Sequence, residues 1–190
     1  MSLLNSARGY GALTKLFHWL IAAMFAFQYA AALVMTRMAP TGSALGLPQS
    51  AWYNWHKSIG LLALGIAVLR LLNRRVGELP PWAPTLVDWE KQFIHRAEQL
   101  MYLAMLVMPV SGFVYAMAGG YGVHLFGEWH LPNLIGAWPL LASASRLLHQ
   151  VAGIALAIAV IGHVSLVLRH QLLLRDGLLR RMLPGNRDRK

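Results

Sequence analysis

Residues 147–170, LLHQVAGIALAIAVIGHVSLVLRH, constrain this chain more than any other stretch. The run is long and apolar enough for a membrane-crossing helix, which needs about 20 apolar residues. Yet His149 and His163 lie inside it. Their 14-residue separation turns an α-helix by about 1400°, roughly 40° short of four full turns, so both imidazoles share nearly one face. At about 1.5 Å per residue they are about 21 Å apart along the axis. Two polar rings on one face, one toward each end, predict two stacked sites between helices.

Composition agrees with the membrane class. Of 190 residues, 57% are hydrophobic and only 13% charged, against about 25% charged in a soluble domain. The formal net charge of +10 raises nucleic acid as a partner. The basic residues, however, fall between apolar runs rather than along one stripe, which predicts membrane topology and no nucleic-acid binding. Cysteine is absent. That excludes disulfides, iron–sulfur clusters, thiol nucleophiles and covalent c-type haem attachment.

Four apolar runs are expected to span the membrane: residues 13–35, 52–72, 97–118 and 147–168. The first is too long for a signal-peptide core and contains His18 and Gln28, so a retained helix is expected. Residues 40–50 and 119–145, rich in Gly and Pro, are expected loops. Trp52 and Trp55 are expected at the membrane interface. Pro80, Pro81 and Pro84 stiffen the connection between the second and third runs, and Pro109 is tolerated inside the third. With four spans, both termini lie on one side. That side carries 14 Lys and Arg and the other carries three, Arg37, Lys57 and Arg146. The positive-inside rule therefore puts both termini in the cytoplasm. The expected architecture is all-α: one membrane four-helix bundle over residues 1–190, with no separate soluble domain.

Depth then sorts the histidines. His18 on the first helix and His163 on the fourth fall near the inner end. His56 on the second and His149 on the fourth fall near the outer end. Polar side chains in lipid are costly and usually functional. Two facing neutral imidazoles in an apolar slot suit low-spin haem, whose iron takes one ligand on each side of a flat macrocycle. Two haem b groups between helices are the expected cofactors. Gly60 and Gly153 each lie four residues after an outer ligand, where a missing side chain admits either a macrocycle or a packed helix. Lys57 and Arg146 flank the outer pair as candidate partners for haem propionates, and Lys15 flanks the inner pair. His124 and His130, with Glu128 between them, invite loose zinc binding, but a Gly-rich loop offers no fixed geometry. His170, seven residues after His163 and roughly on the same face, is either a solvated interfacial histidine or a proton donor or hydrogen-bond partner for a quinone carbonyl, with Arg70 or Arg75 nearby.

Several pieces, in order, resemble the bacterial cytochrome b-561 family. They are Phe17-His18-Trp19-Leu20, His56-Lys57-Ser58-Ile59-Gly60, Pro80-Pro81-Trp82-Ala83-Pro84, His95 leading to Leu100-Met101-Tyr102, Pro109-Val110-Ser111-Gly112, His149 with His163, and the closing residues 178–184. The resemblance implies a four-helix bundle in the bacterial inner membrane carrying electrons to or from membrane quinone through two b haems. It also implies the same four ligands, His18, His56, His149 and His163. Some members resemble superoxide oxidases, which pass an electron from superoxide outside to ubiquinone; His170 matches a position tied to the quinone end there. On that reading Lys57 and Arg146 steer the superoxide anion toward the outer pair. Where relatives carry a second histidine soon after the one matching His95, this chain has Glu98. Two other readings stand beside it: an electron-carrier subunit docking to a separate dehydrogenase, and a haem-free proton relay or transporter.

Overall fold

A computed structural model describes residues 2–184; Arg187, Arg189 and Lys190 of the basic tail lie outside them. Among the described residues are four long helices: α1 (Ala12–Arg37), α2 (Gln49–Val76), α3 (Asp88–Ala118) and α4 (Pro139–Leu168). Two small antiparallel hairpins join them, β1 (Ser43–Ala44) with β2 (Leu47–Pro48), and β3 (Val123–Leu125) with β4 (Trp129–Leu131). A π-helical turn (Arg169–Leu174) and a 3-10 turn (Leu178–Met182) follow α4.

Among the described residues three helices are long and apolar enough to cross a membrane: α1, α3, and α4 with its π-helical extension to Leu174. The fourth expected span, α2, has the length, at 28 residues. It is more polar, carrying Asn54, His56, Lys57 and Ser58 early and Arg70, Asn73, Arg74 and Arg75 late. Each helix extends beyond its apolar run, because helix formation follows backbone pairing and continues into the polar flanks.

The chain forms two compact units. One comprises Met1–Leu20, Ala67–Ala104 and Ile154–Lys190, the other Ile21–Ile66 and Met105–Gly153. In the first, Ala67, Ala97, Ala104, Leu156, Ala159 and Leu166 are buried. Small side chains allow close helix approach where lipid provides no hydrophobic drive. Asn5 Oδ1 accepts from the Gly11 N–H at 2.9 Å and from Thr14 Oγ1 at 2.7 Å, and Asn73 Nδ2 donates to Thr14 at 2.8 Å. The closing segment is held by Trp19 Nε1 donating to the Met182 carbonyl (2.9 Å) and Arg181 donating to the Pro81 carbonyl (2.7 Å).

In the second unit, Ala31, Met35 and Trp52 form one core and Ala116, Met117 and Val123 another. Trp52 is buried and stacks on Phe27 at 6.5 Å, so it is a core residue rather than the interfacial anchor expected; Trp55 is exposed. The expected loop over residues 119–145 contains the β3–β4 hairpin and the first turns of α4. Its turn places Phe126 (φ 51°) and Gly127 (φ 85°) in the left-handed region, a geometry that matches strand twist and gave no alternating pattern to read.

Candidate functional site

In the first unit His18 comes from α1 and His163 from α4. Their ring centroids are 6.2 Å apart. In the second unit His56 comes from α2 and His149 from α4, also with centroids 6.2 Å apart. All four rings are half-buried. The separation is chemically informative. Two metal–imidazole bonds of about 2.0 Å, plus roughly 1.2 Å from each nitrogen to its ring centre, come to about 6.4 Å when one ion lies on the line between the rings. A direct ring-to-ring hydrogen bond of about 2.9 Å would bring the centres to about 5.3 Å. The 6.2 Å separation of each pair is close to the value for one ion between two facing ring nitrogens and longer than that for a direct hydrogen bond.

The second unit also orients its histidines. His149 Nδ1 lies 2.8 Å from the Met108 carbonyl. A carbonyl only accepts, so Nδ1 carries the proton and Nε2 presents its lone pair, the usual device for orienting a metal-binding imidazole. Ser111 Oγ lies 3.4 Å from the same nitrogen. Gly112 clears the space. A Cβ there would stand 2.9 Å from His149 Cε1 and 3.0 Å from Nδ1, closer than carbon and ring atoms tolerate. His56 is held through its backbone, whose carbonyl accepts from Gln28 Nε2 at 3.0 Å. Its Nδ1 is buried and unpartnered among the described residues. Such an atom costs about 1–3 kcal/mol until something binds it. Tyr29 Oη donates to the Gly153 carbonyl at 2.7 Å, tying α1 to α4.

In the first unit the edge of Trp19 meets His18 at 5.4 Å, and Arg70 lies within electrostatic reach of both His18 and His163. Gly162 leaves room for Phe93: a Cβ there would fall 2.8 Å from Phe93 Cζ.

The other sequence candidates are placed as follows. The side of Gly60 is filled by the Gln28 amide and that of Gly153 by the Met108 thioether. Lys57 Nζ donates to the Gly122 carbonyl at 2.8 Å, while Arg146 is exposed. Lys15 is buried and donates to the Leu183 carbonyl at 3.1 Å. Arg70 donates to Tyr102 Oη at 3.3 Å, and Arg75 is exposed. Glu98 is bidentate to Arg74 at 2.5 and 3.1 Å. His95 is exposed beside Gln99, 3.2 Å away.

His170 is the largest departure from expectation. It is not solvated: α4 gives way to a π-helical turn at Arg169, and His170 is buried within that turn. The side chain is fully buried, with Nδ1 2.5 Å from Asp176 Oδ2 and Nε2 3.2 Å from Glu90 Oε1. Arg169 also pairs with Glu90. Both ring nitrogens face carboxylates, and only the imidazolium donates from both. Glu90 Oε2 accepts from the Val87 N–H at 3.1 Å, closing the first turn of α3. Neither Glu90 nor Asp176 stood out from the sequence. The available signal was their rarity, two of only seven acidic residues in a basic chain.

Burial alone would raise the Asp176 carboxyl. Hydrogen bonds from His170, Thr85 and the Leu178 N–H outweigh it and hold the group below its ordinary range. A depressed carboxyl contributes stability above its unfolded pKa of about 3.9, lost as pH falls through the folded value. Asp176→Asn is therefore expected to cost about 1–3 kcal/mol at pH 7 and progressively less below about pH 4. Thermal melts at pH 7 and pH 3.5 check this; an equal deficit at both would refute it.

Comparison with known proteins adds two findings. A family model described as prokaryotic cytochrome b561 matches residues 9–185. "Cytochrome b561 homolog 2" of Escherichia coli (strain K12) is 25% identical over 187 residues, covering 96% of this chain and 95% of that protein.

Proposed function

This chain belongs to the prokaryotic cytochrome b561 family, and from that premise we propose that it carries electrons through two bis-histidine b haems to or from membrane quinone. Members of the family are membrane proteins that bind b-type haem and transfer electrons across the membrane. The observation that carries the finer reading is the equal 6.2 Å spacing of His18–His163 and His56–His149. When bound, each haem supplies one-electron redox chemistry. The chain's own residues hold and orient it. His18 and His163 bracket one site, His56 and His149 the other, and the proton on His149 Nδ1 leaves Nε2 free to ligate. On this reading α2 is the fourth span, both termini are cytoplasmic, and the protein resides in the bacterial inner membrane.

Superoxide as donor outside and ubiquinone as acceptor inside are the substrates we assign. Of the three outer cations, Lys57 and Arg146 are the two that flank the His56–His149 pair in sequence and would attract an anion toward it. The buried Glu90–His170–Asp176 cluster is the inner-end group able to hold a proton, with Arg70 and Arg75 the remaining quinone-end candidates. Proteoliposomes supplied with superoxide should reduce ubiquinone, and Lys57→Glu should slow the rate and flatten its salt dependence. An unchanged rate and salt dependence in the variant would remove superoxide steering. No reduction by wild type would remove superoxide as donor and leave the carrier reading, tested by co-purification of a dehydrogenase.

Gly112→Ala tests the orientation of His149. The added methyl should displace the ring at a cost of about 1–3 kcal/mol. The expected result is a perturbed low-spin EPR signal from one haem with the other unchanged; two unchanged signals would contradict it.

A further inference from the structure

The β3–β4 hairpin holds a third histidine pair. His124 and His130 are directly opposite in its register, and their centroids are 4.7 Å apart with ring planes at 59°. That is too short for an ion on the line between them. With each ring centre about 3.2 Å from a shared ion, a 4.7 Å separation corresponds to a nitrogen–metal–nitrogen angle of about 95°. A tetrahedral site would need about 5.2 Å, so the pair fits adjacent positions of a tetragonal ion. Both Nε2 atoms lie beside Gly122, where a Cβ would stand 3.6 Å from that of His130 and 4.0 Å from that of His124. Neither ring has a hydrogen bond among the described residues.

The hairpin fixes this geometry. Ser58 is buried, and its Oγ accepts from the Phe126 N–H at 2.7 Å while donating to the Asn54 carbonyl at 2.7 Å. Lys57 ties down the carbonyl of Gly122. Two imidazoles on a pinned hairpin form a preorganised chelate, open to solvent on the side of exposed His130.

We infer that His124 and His130 bind one divalent late transition metal, with Cu(II) preferred. Tetragonal nitrogen coordination suits Cu(II), and the Irving–Williams order places it above Ni(II) and Zn(II). Water completes the coordination. The site is separate from the two haem pairs and does not depend on them.

Titration of Cu(II) into the oxidised full-length protein in nanodiscs tests it. The expected result is one equivalent bound, an axial Cu(II) EPR spectrum with superhyperfine splitting from two nitrogens, and weaker binding of Zn(II). His124→Ala and His130→Ala should each weaken Cu(II) binding at least tenfold while the visible spectrum stays unchanged. If either variant fails to fold, the nitrogen count in wild type decides. One nitrogen or none, or undiminished binding in the variants, would overturn the site, and tighter Zn(II) binding would overturn the metal preference.

Discussion

Replacing His163 with alanine is expected to remove one of two haems and leave the other. His18→Ala should do the same to the same haem, while His56→Ala and His149→Ala should remove its counterpart. Each site is built from one ring on each of two helices. On the proposed reading, removing either ring would take away one of the two imidazoles that would hold the haem and leave the other without the partner that its 6.2 Å spacing accommodates. Haem per chain should fall from about two to about one in every single variant. The lost spectral component should be common to His18→Ala and His163→Ala and different from the component lost in the other two. Four variants that each lost both haems, or lost neither, would refute the pairing.

Glu90→Ala is the second large effect. Glu90 is 1% exposed and accepts from Val87, His170 and Arg169. Its loss would leave buried His170 with one carboxylate and free the first turn of α3. Removing one partner of a buried ionic group typically costs about 3–5 kcal/mol, which for a chain of this size lowers the unfolding temperature by roughly 6–20 °C. Glu90→Gln should cost less, since an amide oxygen still accepts from Val87. A shift under about 2 °C for Glu90→Ala would show that the cluster contributes little. The pair of variants separates lost charge from lost shape, and Asp176→Asn reports on the other side of the same imidazole.

Much of the fold was legible because lipid restricts a chain to few solutions. The apolar runs locate α1, α3 and α4, and the polar positions within α2 explain why it alone lacks the apolarity of a span. The histidine partners were legible for a related reason. A polar ring at a given depth has few neighbours of its kind; depth suggests the pairs without proving contact, and the rings of His18 and His163 and of His56 and His149 each stand 6.2 Å apart.

What was not legible depended on backbone geometry. The turn through Phe126 and Gly127 uses left-handed conformations without an Asn-Gly signal, so a rigid hairpin reads as loop and the relation of His124 to His130 stays hidden. The α helix becomes a π helix at Arg169, and nothing in the sequence marked His170, inside that turn, as buried in a cage of two carboxylates. Glu90 joins that cage from 80 residues away. Gly112 was part of a motif, but its purpose appears only when the His149 ring lies against it. The glycines singled out earlier, Gly60 and Gly153, abut the Gln28 amide and the Met108 thioether in the second unit.

In the proposed function two imidazole pairs each hold one b haem. A dithionite-reduced visible spectrum of the purified protein, with haem quantitation against protein, tests it most directly. The expected result is about two haems per chain with low-spin b-type bands, both reoxidised by added quinone. One haem per chain would contradict the two-site reading, and no Soret band would contradict the haem reading altogether.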